Sequence, residues 1–278
     1  MYSRVYVEVT NICNMHCSFC HGHSREKRSM TEGEYARVLQ QLQGKTGYIY
    51  HHLMGEPLVH PQLPTFIRMA CRAGFRPMLT TNGTLLERLG DSLLIEGLHK
   101  INISLHSFEA GGAQAHERYL QSVADFAKKA VNAGILISLR LWNNGCDDGK
   151  NADVLALLHR EFPGQWRENT RGYRIRDGLF LAWGDRFQWP DQQAQDYGSK
   201  MSCRGLGDHF GILCDGTVVP CCLDSEGTLA LGNVFREELT DILASPRAKA
   251  IREGFQNQNA AEDLCRRCGY AQRFKTAL

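Results

Sequence analysis

The chain has 278 residues, 43% of them hydrophobic and 22% charged, with a formal net charge of +2. That mixture calls for a sizeable packed core, either one large α/β unit or a core with a smaller appendage. The near-neutral balance argues against a dedicated nucleic-acid binder, and no apolar run approaches the roughly 20 residues that span a bilayer. The opening residues alternate like a strand and lack a signal-peptide pattern. A soluble cytoplasmic protein is therefore expected, in which the 11 cysteines stay reduced.

In chain order, a first strand over Val5–Val9 runs directly into Cys13-Asn14-Met15-His16-Cys17-Ser18-Phe19-Cys20. A helix over Thr31–Gln43 follows, then a strand over Tyr48–Leu53 that leads into Met54-Gly55-Glu56-Pro57. The next helix, Leu63–Ala73, stops at Gly74, and the strand Pro77–Thr81 ends in Thr80-Thr81-Asn82-Gly83. A helix over Leu85–Glu96 precedes the strand Lys100–Leu105, whose end carries Ser104. A helix over Ala113–Ala133 stops at Gly134, and the strand Ile135–Leu141 ends in Arg140-Leu141-Trp142-Asn143. Glycines just past a helix suit the left-handed cap conformation. Residues 143–195 mix Gly, Asp, Trp and Pro and hold a sixth strand near Tyr173–Trp183.

Strand–helix alternation with short links predicts a parallel sheet with right-handed crossovers. Five or six units suit an open, partial (β/α)6 TIM-type barrel, with the chemistry at the C-terminal ends of the strands. The break falls near Gln188–Gly198, giving a core over 1–190 and a small cluster-binding α+β domain over 191–278. In that second part Asp215-Gly216 marks a hairpin between Cys214 and Cys221-Cys222. A helical stretch over Leu239–Gly254 then leads to Cys265-Arg266-Arg267-Cys268.

Three cysteines lie within residues 13–20 and six within 203–268, so the chain reads as two metal sites. A C-x3-C-x2-C run wraps one corner of a cuboidal cluster and leaves one iron without a protein ligand, as a catalytic site requires. With the cysteines sufficient, His16, His21, His23, His51 and His52 are not needed as ligands.

This run after a strand resembles the radical S-adenosylmethionine (SAM) superfamily. The resemblance implies that Cys13, Cys17 and Cys20 hold a [4Fe-4S] cluster whose open iron chelates SAM. One electron then cleaves SAM to methionine and a 5′-deoxyadenosyl radical, which abstracts hydrogen from the substrate. Gly55-Glu56-Pro57 is similar to the family's GGEP-type motif for the methionine amino group, with Met54 departing from the usual first glycine. Phe19 takes the aromatic position beside the adenine, Asn82 and Ser104 take polar positions near SAM, and Arg140 suits its carboxylate. The tail resembles the SPASM and twitch extensions, the twitch form most closely. That likeness implies an auxiliary [4Fe-4S] cluster on Cys203, Cys221, Cys265 and Cys268, with Cys222 as the alternative to Cys221 and Cys214 in the core.

The implied activity is a radical SAM oxidoreductase or modifying enzyme acting on a peptide, protein or small polar molecule. It would draw on an external one-electron reductant such as flavodoxin or ferredoxin, away from any membrane. The other readings are a non-catalytic iron–sulfur electron-transfer or zinc-binding protein, or a radical SAM enzyme modifying RNA. No acid or base is named; Trp142, Phe187, Trp189 and Asp224 read as packing or surface near the barrel mouth.

Overall fold

A computed structural model describes residues 1–108, 113–146 and 149–277. In chain order the elements are β1 (Arg4–Val7), α1 (Glu32–Leu42), β2 (Tyr48–Tyr50), α2 (Leu63–Arg72), β3 (Arg76–Thr81), α3 (Leu86–Leu89) and β4 (Lys100–Ser104). They continue as α4 (Ala113–Asn132), β5 (Leu136–Asn144), α5 (Lys150–Glu161), β6 (Arg167–Asn169), β7 (Gly172–Arg176) and β8 (Leu179–Asp185). The tail adds β9 (His209–Ile212), β10 (Thr217–Val219), β11 (Gly232–Asn233), α6 (Leu239–Ala244), α7 (Pro246–Gln256) and α8 (Asp263–Arg266).

All the strands join one 11-stranded sheet in the order β11-β10-β9-β1-β2-β3-β4-β5-β8-β7-β6. From β1 through β5 to β8 every pairing is parallel, the open partial barrel expected from the alternation. The final strand of that series, β8, arrives as the second arm of a hairpin with β7, turned at Gly178 (φ +78°). The tail does not stack as a separate layer. Its strand β9 runs parallel to β1, with Val5 opposite Phe210 and Val7 opposite Ile212, and β10 returns antiparallel. One apolar core accordingly runs from Val5 to Ala271.

Local chemistry sets the helix ends. Thr31 caps α1 in a capping box with Glu34, an arrangement worth about 1 kcal/mol. Gly74 (φ +85°) closes α2, its N–H reaching the Cys71 carbonyl while the Phe75 N–H reaches that of Ala70. The helix expected over Leu85–Glu96 is shorter: α3 passes into a 3₁₀ turn at Gly90, where a Cβ would lie 2.7 Å from the Phe126 ring. The stretch Leu239–Gly254 is two helices, because Pro246 starts α7 with Ser245 as its cap. Helix α5 was not expected within 143–195, although Val154, Leu157 and Leu158 bury one face of it.

Alternation along the strands sorts the two faces of the sheet. Val5, Val7, Ile49, Ile101, Ile103, Ile137 and Leu139 are fully buried in the core. The other face presents half-exposed Tyr6, Tyr50, Thr80, Ser104 and Arg140. No described helix is long and apolar enough to cross a membrane.

Candidate functional site

The cysteine loop leaves β1 from a polar stem. Glu8 is fully buried, and its carboxylate accepts Arg25 Nη2 at 2.6 Å, the Met54 N–H at 3.1 Å and the Cys214 N–H at 3.0 Å. Asn11 donates to the Glu26 carbonyl at 2.8 Å and accepts the Arg28 N–H at 2.8 Å, tying down the chain that returns. Between these ties lie the three thiols. Cys13 and Cys20 are exposed and Cys17 is half-buried, its Sγ 3.5 Å from the Ser107 carbonyl. The Cys20 N–H closes a turn onto the Cys17 carbonyl at 3.1 Å.

The loop after β2 lies against this stem. Gly55 (φ +76°) has no room for a side chain: a Cβ would sit 2.4 Å from the Thr10 carbonyl oxygen. The Glu56 N–H donates to the Ile12 carbonyl at 2.9 Å. The Glu56 carboxylate turns inward, accepting Thr81 Oγ1 and the Asn82 N–H at 2.7 Å each and the Leu58 N–H at 3.1 Å. Burial raises its pKa to about 7 despite those donors. Glu56 thus ties the ends of β2 and β3 together, with its side chain engaged inside the protein.

Asn82 behaves similarly. Its Oδ1 accepts the Thr84 N–H and hydroxyl, and its Nδ2 donates to Asn14 Oδ1 at 3.0 Å, within the cysteine loop. The turn and the loop are held by one side chain.

Ser104 and Arg140 sit side by side in the register of β4 and β5. The Arg140 guanidinium lies 4.7 Å from the centre of the Trp142 ring and makes no ion pair among the described residues. Burial lowers its pKa to about 10, with Tyr50, Tyr6 and Tyr270 among the groups around it. A half-buried guanidinium without an anionic partner is open to a ligand carboxylate. Phe19 packs near His106, ring centres 4.9 Å apart, and under the Arg186 guanidinium at 5.5 Å.

His23 and His51 are engaged by neighbours. His51 is buried against the Tyr35 hydroxyl at 2.5 Å, and His23 Nε2 meets the Asn11 carbonyl at 2.8 Å. His52 is kept neutral, its pKa lowered by burial and by Arg140 to about 3.

The tail gathers a second set of thiols. Cys221 is surrounded electrostatically by Cys222, Cys203, Cys265 and Cys268, and Cys265 by Cys203 and Cys268. Burial is the largest influence on each, raising the Cys221 and Cys265 pKa values and bringing Cys268 up to about 11. Thiolates so buried and so crowded need a cationic group among them, and an iron–sulfur cluster fits that donor set. The Gly205 N–H also points at Cys203 Sγ, 3.4 Å away.

Neighbouring Cys221 and Cys222 face different surroundings. Cys222 packs with Tyr6 against Leu53, Met54, Leu213 and Val219, and burial raises its pKa to about 11. Cys214 is fully buried in the core, where the sequence put it. Asp224 is a structural residue whose carboxylate caps the Thr228 and Leu229 N–H groups.

The ion pair of Glu8 with Arg25 was missed by sequence reasoning, since residues 17 apart in a loop carry no periodic signal.

The family described as the radical SAM superfamily matches residues 7–141, and an iron–sulfur cluster-binding domain, SPASM, matches residues 203–269. A GTP 3′,8-cyclase of Chlorobaculum tepidum is 31% identical over 109 residues, covering 38% of this chain and 33% of that protein. A probable GTP 3′,8-cyclase of Metallosphaera sedula is 35% identical over 108 residues, covering 36% and 33%. The similarity thus takes in about a third of each curated relative's length.

Among solved structures, BtrN in complex with AdoMet and 2-DOIA superposes with a TM-score of 0.62 at 20% identity, covering 96% of this chain and 93% of BtrN. Streptococcus suis SuiB gives 0.65 at 14% identity, covering 97% and 71%. At such identities the likeness is one of fold.

Proposed function

Given that the chain is a radical SAM enzyme with a C-terminal SPASM iron–sulfur domain, we propose that it abstracts hydrogen from a polar substrate, either a peptide or protein or a small molecule, and that the outcome is a net oxidation or other radical modification. Membership of this superfamily sets aside the reading as a non-catalytic carrier or zinc module. The enzyme works with [4Fe-4S] clusters and SAM.

Cys13, Cys17 and Cys20 are assigned to the SAM-binding cluster in the part over 1–190. Cys203, Cys221, Cys265 and Cys268 are assigned to the auxiliary cluster in 191–278. Cys221 is preferred to Cys222 because Cys203, Cys265 and Cys268 all lie around it, while Cys222 packs beside Tyr6 on a separate apolar cluster. When bound, the reduced cluster supplies the electron that cleaves SAM to methionine and a 5′-deoxyadenosyl radical.

The chain's own residues bind and orient. Arg140, flanked by Ser104 in the register of β4 and β5, would hold the SAM carboxylate as a bidentate donor. Gly55, Glu56 and Pro57 offer backbone groups to the amino end, since the Glu56 carboxylate is occupied. Phe19 would pack beside the adenine. Asn82 acts by holding the cysteine loop through Asn14.

The polar inner face, with Tyr6, Tyr50 and half-exposed His52, supports a hydrogen-bonding substrate. Relatives of this fold range from a GTP cyclase to SuiB, which was solved with the precursor peptide SuiA. An external one-electron donor of the flavodoxin or ferredoxin kind supplies the reducing equivalent.

The observation that carries this reading is the half-buried Arg140 guanidinium, which makes no ion pair among the described residues, at the rim that also holds the three-cysteine loop. Anaerobic reconstitution followed by SAM and dithionite tests it. The expected product is 5′-deoxyadenosine; a fully loaded enzyme that neither binds nor cleaves SAM overturns the assignment.

A further inference from the structure

The two groups of cysteines are joined by one short piece of chain. Residues 186–194 leave β8 and pass between them. Trp189, half-buried, donates its indole N–H to the Phe19 carbonyl at 3.0 Å, inside the turn that Cys17 and Cys20 close. The imidazole of His21 stacks on the same indole, ring centres 6.1 Å apart. The indole also packs on a small apolar cluster of Leu53, Met54, Leu213 and Val219, together with Tyr6 and Cys222. Met54 opens the Gly55-Glu56-Pro57 loop and Cys222 follows Cys221, so the cluster under Trp189 also borders both sites.

The residue before it is held from the opposite side. The Gln188 carbonyl accepts the Gly269 N–H at 3.1 Å, and Gly269 directly follows Cys268. A Cβ on Gly269 would lie 2.7 Å from that carbonyl oxygen and 3.0 Å from the Gln188 Cβ. The Tyr197 hydroxyl donates to Gln188 Oε1 at 3.0 Å, and Phe187 meets the edge of Tyr270 at 5.0 Å.

The cysteine loop needs such an abutment. Two of its three thiols are exposed, and the Cys17–Cys20 turn has no regular element to fix it. Packed interfaces transmit displacement because close-packed groups cannot yield independently.

We propose that Trp189 is a positioning residue for the Cys17–Cys20 turn, and that the Gln188–Trp189 strap couples this turn to the segment carrying Cys265 and Cys268. What the cysteines bind rests on the reading above, but the coupling is a property of the protein chain. A change at either end of the strap is therefore felt at the other.

The test uses the reconstituted full-length enzyme and three variants. Trp189→Phe keeps a ring but deletes the N–H; Trp189→His restores a ring N–H; Gly269→Ala pushes the strap from its far end. Amide hydrogen exchange over residues 17–21 is expected to quicken about fivefold in Trp189→Phe and in Gly269→Ala. The Kd for SAM is expected to weaken by a similar factor, about 1 kcal/mol. The electron paramagnetic resonance line shape of the reduced enzyme with SAM should change with it, and Trp189→His should recover most of each effect.

Unchanged exchange over 17–21 in Trp189→Phe overturns the positioning role. A response to Trp189→Phe without one to Gly269→Ala overturns the coupling. If Gly269→Ala sheds iron, Tyr197→Phe replaces it, removing a hold on Gln188 outside both cysteine segments. Wild-type protein that fails to load iron or bind SAM defeats the functional reading instead, and the exchange comparison on that protein still decides the coupling.

Discussion

The carboxylate of Glu8 and the guanidinium of Arg25 meet at 2.6 Å, the first fully buried and the second nearly so, across the base of the cysteine loop. Glu8 also receives backbone N–H groups from Met54 and Cys214. Removing one partner of such a pair strands the other in a dry site, at a cost of about 3–5 kcal/mol. Arg25→Ala is thus expected to lower the Tm by several degrees and to weaken iron loading, as seen by scanning calorimetry and iron assay. A variant as stable as wild type would show the pair to be dispensable.

Glu56 supplies a pH dependence with a definite sign. Its folded pKa of about 7 lies above the ordinary carboxylate value, so the folded state holds the proton more tightly than the unfolded state. Its contribution to stability is full below about pH 4.5 and declines as pH rises toward 7. The Tm of wild type minus that of Glu56→Gln should fall between pH 5 and 7.5, measured on both proteins in the same buffers, because only wild type ionises. A value that rises over that window contradicts the assignment.

Arg140 is expected to matter for binding more than for folding. A buried charged hydrogen bond is worth about 1.5–3 kcal/mol, so Arg140→Ala should weaken SAM binding roughly 10- to 100-fold. Because an uncompensated cation is removed, the ligand-free protein should melt no lower than wild type. Isothermal titration and thermal melting read the two effects separately.

Cys221 and Cys222 separate by iron content. Wild type should carry about eight iron per chain as two cubane clusters. Cys221→Ser should fall toward about four, while Cys222→Ser should stay near eight. The reverse pattern would exchange their roles.

The two sites should also divide the labour. Replacing Cys13, Cys17 and Cys20 together should abolish 5′-deoxyadenosine formation and leave the auxiliary absorbance. Cys265→Ala with Cys268→Ala should still cleave SAM while losing substrate conversion, once circular dichroism shows it folded. Full turnover by that folded variant would remove any catalytic role for the second site.

Much of this was legible because the signals were local. The C-x3-C-x2-C spacing, the Gly55-Glu56-Pro57 turn and strand–helix alternation each lie within a few residues. The inward turn of the Glu56 carboxylate depends on Thr81 and Asn82 arriving from another strand, so no spacing announces it. The choice between Cys221 and Cys222 likewise hangs on Tyr6, far off in the chain. Helix α5 was obscured because Gly- and Asp-rich sequence precedes it and a broken hairpin follows.

The parallel pairing of β9 with β1 has a consequence for the order of assembly. β1 finds β2 early, but its other edge waits for a partner some two hundred residues downstream. A newly made chain emerging from the ribosome therefore carries an open sheet edge, which invites aggregation. Contacts of such sequence separation also slow folding. Glu8 acquires the Cys214 N–H only when that late strand docks. Metal insertion at the N-terminal loop should accordingly lag behind completion of the tail.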